Sequence, residues 1–330
     1  MPTAFVTGAS GFIGGHVAIQ LLQRGWRVRA LRRGPVFQRR LPADPIDWRQ
    51  GDLKDFDQVY RAMAGCEAVF HVAADYRLWA RNPNEIYANN VTGTANVLEA
   101  ALQHGVRRTV YTSSVGALGL NPDGTPADEG TPVRLEDMVG HYKRSKFLAE
   151  RKAEEFFRRG LPLVIVNPST PVGPGDHKPT PTGRIIVDFL NGRMPAYLDT
   201  GLNIVHVSDV AHGHLAALEK GRIGEKYILG NENLTLSQIF SLLQRITKIP
   251  APRLRLPHRP VLYLSYLSEL IARLTGTEPL IPPEGVKMAH RYMFFKADKA
   301  ISELGLPQTP ASVALEDAVR WYRENCYVKR

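Results

Sequence analysis

Tyr142 and Lys146 stand four residues apart in His141-Tyr142-Lys143-Arg144-Ser145-Lys146, and on a helix such positions share one face. A phenol with a pKa near about 10 is a poor proton shuttle at neutral pH. An adjacent ammonium stabilises phenolate and lowers that pKa, which would make Tyr142 a usable general acid or base. Amphipathic helix surfaces produce the same pair by chance, so a third group has to support the reading. Ser114 is that group. Val110-Tyr111-Thr112-Ser113-Ser114 reads as a strand ending in hydroxyls, and parallel sheets present their ligand sites at the carboxyl ends of strands. There Ser114 would donate to a substrate oxygen while Tyr142 moves the proton. Ser113 competes for that role, or simply caps the strand.

Gly8-Ala9-Ser10-Gly11-Phe12-Ile13-Gly14 follows a strand and opens a helix. One glycine makes the tight turn, one lets backbone approach a pyrophosphate, and one allows close helix–strand packing. Phosphates would rest at the helix start, over Phe12, Ile13 and Gly14, where free N–H groups and the macrodipole favour negative charge. A bare glycine turn fits this context less well. The ligand expected is a dinucleotide.

The second strand ends Ala30-Leu31-Arg32-Arg33, with Arg39 and Arg40 following, and seven arginines lie between residues 24 and 40. An acidic residue at that strand end would bond a ribose 2′-hydroxyl and select NAD. Guanidinium forks at Arg32 and Arg33 suit a 2′-phosphate instead, so NADP is expected, with NAD as the alternative; several of these arginines are solvated surface residues. Asp52 and Leu53, in Gly51-Asp52-Leu53, stand where the third strand would end near the adenine. Asp52 reads equally as a turn residue.

The elements that must position these groups alternate as βαβ units do. Strands are expected at Thr3–Thr7, Arg27–Leu31, Ala68–Val72, Thr109–Ser113 and Leu163–Asn167, and helices at Phe12–Arg24, Asn84–His104 and His141–Arg158. This is an α/β chain: a Rossmann-type doubly wound parallel sheet with a smaller, discontinuous C-terminal substrate lobe. Prolines crowd residues 168–181 and break regular structure there. Val205–Lys220 and Lys226–Leu229 read as a return to the sheet. The dinucleotide-binding domain is thus 1–167 and 204–230, and the substrate lobe 168–203 and 231–330. Leu234–Thr247 and Val261–Leu274 read as amphipathic helices of that lobe. The latter is apolar on more than one face and is expected to pack as a core helix, with contact to a membrane surface as the alternative.

Hydrophobic residues make up 44% of the 330 and charged residues 22%, enough for a sizeable core. Two cysteines, Cys66 and Cys326, form no CxxC pair, which argues against a disulfide scaffold or a cysteine zinc site. The N-terminus carries no signal-like stretch and no run spans a bilayer, so a cytoplasmic location is expected. A net charge of +10 favours anionic partners, yet no basic arm points to nucleic acid. No metal is expected: His212 and His214, two apart, would diverge by about 200° on a helix and read as surface histidines. Tyr76, Arg77, Trp79 and Arg81 either gate a substrate or form an ordinary loop.

Gly8-x-x-Gly11-x-x-Gly14, His71-Val72-Ala73-Ala74, Asn90-Val91-x-Gly93-Thr94-x-Asn96, Thr112-Ser113-Ser114 and Tyr142-x-x-x-Lys146 resemble the extended short-chain dehydrogenase/reductases, the NAD-dependent epimerase/dehydratase family. His71–Arg81, Gly140–Lys146 and Val166–Asp176, with Pro179–Phe189, resemble most closely the hopanoid-associated sugar epimerases, neighbours of the dihydroflavonol 4-reductases. The resemblance implies that Ser114, Tyr142 and Lys146 are catalytic, with Lys146 also holding the nicotinamide ribose. It implies that Ala73 and Ala74 line the cofactor, that Asn167 and Pro168 line the nicotinamide pocket, and that Asn90 supports the site. Thr112 and Ser113 join the same cofactor edge. Sugar dehydratases of this superfamily carry Asp-Glu after the catalytic Ser/Thr. Here Val115-Gly116 follows, so elimination of water is not expected.

What remains is hydride and proton transfer at a carbinol or ketone carbon. The resemblance points to a sugar or sugar-derived group in hopanoid lipid synthesis. An NADPH-dependent carbonyl reductase like dihydroflavonol 4-reductase is the alternative, and a dinucleotide-sensing regulatory protein the non-enzymatic one. The expected partners are a small-molecule substrate, with a lipid-linked sugar as one form, no nucleic acid, peripheral membrane contact at most, and a homodimer as a candidate assembly.

Overall fold

Apolar residues alternate sides along the central strands. In Thr3–Thr7, Ala4 and Val6 face one hydrophobic core and Phe5 the opposite one; in Leu163–Pro168, Val164 and Val166 oppose Leu163 and Ile165 in the same way. A strand with both faces buried belongs inside a parallel sheet covered by helices. The computed structural model, which describes residues 1–34 and 46–328, has that architecture; Arg39 and Arg40 lie outside the described residues.

The first half holds β1 (Thr3–Thr7), α1 (Phe12–Gln23), β2 (Arg27–Arg32), β3 (Ile46–Gln50), α2 (Phe56–Met63), β4 (Ala68–His71), α3 (Asn84–Tyr87), α4 (Gly93–Gln103) and β5 (Arg108–Thr112). Then come α5 (Gly140–Arg158), β6 (Leu163–Pro168), β7 (Thr170–Val172), α6 (Pro181–Leu190), β8 (Ala196–Leu198), β9 (Gly201–His206), α7 (Val207–Glu219) and β10 (Lys226–Leu229). The chain continues through β11 (Glu232–Thr235), α8 (Leu236–Thr247), β12 (Leu254–Leu256), α9 (His258–Thr275), α10 (Pro283–Met288) and α11 (Ala311–Glu324).

Seven strands form the main sheet in the order β10-β6-β5-β4-β1-β2-β3, and every pairing is parallel. Helices α1 and α7 cover one face and α2, α4 and α5 the other. A third core gathers β7, β9, α6, α8 and α11 around Phe189, Ile204, Phe240 and Leu315, beside a small sheet of order β11-β9-β7.

Asn84–Gln103 is one continuous helical run, as expected over Asn84–His104, with a π-helical turn at Ala88–Thr92 between α3 and α4. Two expectations needed correction. The prolines of 168–181 do not simply break structure, because Pro181 opens α6 behind the Thr180 cap; proline's fixed φ and missing N–H suit a first helical turn. Finally, α9 is not a core helix. Only Val261, Ser265 and Ala272 along it are buried.

Candidate active site

Gly8 turns the chain out of β1 with φ +73°, where only glycine is free of strain. A Cβ there would stand 2.7 Å from the Ala73 nitrogen, and one at Gly14 would strike the Gly8 carbonyl. The loop thus admits the start of α1 against β1 and β4 only because both residues lack side chains. Among the described residues no side chain caps α1, and its first turn carries no acid. Its leading N–H groups suit an anion. A cavity of about 220 Å³ adjoins this loop, lined by Ser10, Gly11, His16, Pro174, Gly175 and Trp321 among others.

Thr7 Oγ1 accepts from the backbone N–H of Val72 and of Ala73, both at 3.1 Å, and lies 2.7 Å from His71 Nδ1. With both lone pairs used, the threonine proton must go to Nδ1. The His71 proton then sits on Nε2, which donates to Thr94 Oγ1 at 2.9 Å. His71 stays neutral, because burial and the Lys146 charge push its pKa down to about 3. This network ties β1, which leads into the glycine loop, to β4 and to the Val72–Ala73 backbone that follows it.

The three residues expected to be catalytic come from two elements. Ser114 follows β5 and accepts from the Gly116 N–H at 3.0 Å, while Tyr142 and Lys146 lie on α5. A Cβ at Gly116 would stand 3.2 Å from Ser114 Oγ and 3.8 Å from Tyr142 Cε1, so the two side chains flank that glycine. Burial raises the Tyr142 pKa, and a hydrogen bond with Ser114 opposes the rise. Lys146 is not among the groups that shift Tyr142; its ammonium donates to the Thr112 carbonyl at 2.8 Å and to the Tyr111 hydroxyl at 3.3 Å. Burial brings the Lys146 pKa down to about 8, against the pull of Glu150. Two of its three N–H donors are used, leaving one for a ribose hydroxyl.

Glu150 is the residue that sequence reasoning missed. It is wholly buried, accepts from Ser113 Oγ at 2.5 Å and Asn167 Nδ2 at 2.9 Å on one oxygen, and from Lys226 Nζ at 2.6 Å on the other. Asn167 Nδ2 also holds the Ser114 carbonyl at 3.1 Å. Ser113 is thereby turned toward Glu150, and Ser114 is left facing Tyr142. The signal was present: Tyr142, Lys146 and Glu150 are spaced by four, one face of a helix. Asn90, in the π turn, pairs with the Asp75 backbone in both directions, at 2.7 and 2.8 Å, and donates to Ser145 Oγ at 2.9 Å. It couples the loop after β4 to α5 between Tyr142 and Lys146.

At the sheet edge Arg32 Nε is buried without a partner among the described residues, as are Asn167 Oδ1 and Ser169 Oγ. Orphaned polar atoms at the ends of β2 and β6 fit a bound polar group. Arg33 and Ala74 are exposed. Asp52 accepts from the Lys54 N–H at 3.0 Å, a turn arrangement, while the Leu53 carbonyl accepts from Asn96 Nδ2 at 2.9 Å. Pro168 pairs with Leu229 at the end of β6. The surface reading of His214 fails. It is buried, donates from Nδ1 to the Val210 carbonyl at 2.7 Å, and accepts at Nε2 from Thr112 Oγ1 at 2.8 Å. Among the described residues no three metal-ligating side chains cluster.

The family model described as the NAD dependent epimerase/dehydratase family matches residues 4–230. The chain belongs to this family. Its members are NAD(P)-dependent enzymes of the extended short-chain dehydrogenase/reductase fold, and this chain is one of them. It is similar to a Synechocystis sp. protein provisionally named a dihydroflavonol 4-reductase, 46% identical, with 98% of this chain and 96% of the relative covered. Sterol demethylase protein B of Methylococcus capsulatus is 34% identical, with 98% of each chain covered. The crystal structure of gox2253 superposes with a TM-score of 0.88 at 46% identity over 99% of both chains. No described helix of this family member is long and apolar enough to cross a membrane.

Proposed function

We propose that the chain is an NADPH-dependent carbonyl reductase acting on a ketone of an apolar, polycyclic lipid-like substrate. The observation that carries this reading is 46% identity over 98% of this chain to a relative named for a reductase, on a site where Ser114 and Tyr142 flank Gly116. The phenol beside Ser114, its pKa raised by burial, can serve as the acid of a reduction.

NADPH, when bound, supplies the hydride. Ser114 donates a hydrogen bond to the substrate oxygen, and Tyr142 delivers its proton there as the carbonyl becomes an alcohol. Lys146 would hold the nicotinamide ribose. Gly8, Gly11, Phe12, Ile13 and Gly14 would carry the pyrophosphate, and Arg32 and Arg33 the 2′-phosphate. Ala73, Ala74, Asn167 and Pro168 would border the cofactor. The similarity to the Synechocystis relative supports reduction. The sterol in the name of the Methylococcus relative supports a polycyclic lipid, a coarser form of the hopanoid connection. Val115-Gly116 after Ser114 offers no acid–base pair for elimination.

The test is isotope transfer from deuterated NADPH to steroid and triterpenoid ketones. One deuterium at the new carbinol carbon, with stoichiometric NADPH consumption, is the expected result. Tightly held cofactor with no net consumption would mean epimerisation and overturn the reading.

A further inference from the structure

The helix α9 is amphipathic in the wrong direction for a core element. At about 100° per residue, Tyr263, Leu264, Leu267, Leu270, Ile271 and Leu274 fall within an arc of roughly 100–120°. All are more than half exposed, from 52% at Ile271 to 80% at Leu274. The buried residues, Val261, Ser265 and Ala272, lie on the opposite side. The helix rests on its small residues and turns leucine and tyrosine outward. Apart from Met1, Leu254 and Leu280, the α9 residues are the only large apolar side chains among the described residues that are more than half exposed. A contiguous apolar patch of this kind marks an interaction surface.

We infer that this face docks the protein onto an anionic lipid bilayer. Charge selects the occupant. Arg253 and Arg259 flank the helix start, and Lys287 of the packed helix α10 and Arg291 just beyond it add to them; all four are exposed and lack an acidic partner among the described residues. Lys287 Nζ sits 5.2 Å over the Tyr266 ring. Leucine and tyrosine flanked by basic residues suit the boundary between acyl chains and anionic headgroups. A second copy suits it less, because a two-fold interface would bring these cations against their own symmetry mates. Helix α10, which packs on α9, also touches the helix that carries Tyr142: Glu284 accepts from the His141 N–H at 3.0 Å.

Binding is read without turnover, so the test is independent of the reductase proposal. The full chain is sedimented at low salt with vesicles of phosphatidylglycerol and phosphatidylcholine in equal parts, and with phosphatidylcholine alone. The anionic vesicles should bind it and added salt should release it. Leu267→Glu/Leu270→Glu should weaken binding by about tenfold or more, and Arg253→Ala and Arg259→Ala by about fivefold each. Tyr263→Trp, which keeps the face apolar, should show quenching of its added indole emission by brominated lipid. The inference is overturned if the wild type stays in solution, if the glutamate variant binds as well as wild type, or if brominated lipid leaves the emission of the Tyr263→Trp variant unchanged. It is equally overturned if the glutamate variant instead splits a wild-type dimer that ignores vesicles.

Discussion

Asn167 donates from one amide nitrogen to Glu150 at 2.9 Å and to the Ser114 carbonyl at 3.1 Å. The strand ends β5 and β6 are thereby locked to a buried carboxylate on the helix that carries Tyr142 and Lys146. Positioning of the candidate site depends on an acid that touches none of the reacting atoms.

Glu150→Ala should therefore destabilise the fold. Each buried partner left unsatisfied costs about 1–3 kcal/mol, and Ser113 and Asn167 both lose an acceptor. Lys226 is spared, since Glu154 stands 2.8 Å away. Glu150→Gln keeps an acceptor and should lose less. Denaturant unfolding of the three proteins checks the order; equal stabilities would show that the network contributes nothing.

Tyr142→Phe should leave the fold and cofactor affinity intact while turnover drops by roughly 10²–10⁴. Lys146→Ala should also weaken cofactor binding. Single-turnover kinetics and cofactor titration separate the two. Near wild-type turnover in the phenylalanine variant would remove Tyr142 from the mechanism.

Cofactor preference should follow Arg32 and Arg33. Their replacement by alanine should cost NADPH affinity about 1.5–3 kcal/mol and leave NADH affinity nearly unchanged. Fluorescence titration of both cofactors against both proteins measures this, and a wild type that favours NADH would contradict it.

Stability should fall on mild acidification. The folded pKa values of His71 and His214, about 3 and about 4, lie below the ordinary 6.5. Between those values and 6.5 the unfolded chain binds more protons, so stability is full above that range and is lost as the pH falls through it. At pH 5 each histidine costs about 2 kcal/mol relative to pH 7.5. The drop in unfolding free energy between these pH values should be smaller by about that amount in His214→Gln. An undiminished drop would exclude the assignment.

Local chemistry made much of this legible beforehand. Period-two burial and glycine punctuation are properties of adjacent residues, and they revealed β1, the loop from Gly8 to Gly14, and the strand ending at Ser114. A spacing of four put Tyr142 and Lys146 on one helix face wherever that helix went. Tertiary contact decided the rest, because it depends on which neighbour covers which face. Only the packing of α5 against β5 and β6 could turn Ser113 to Glu150 and leave Ser114 to Tyr142. Only the seat of α7 on the sheet could bury His214 against Thr112. The composition of α9 announced an apolar helix; that its leucines point away from the protein was decided by which side packs, the one that buries Val261, Ser265 and Ala272.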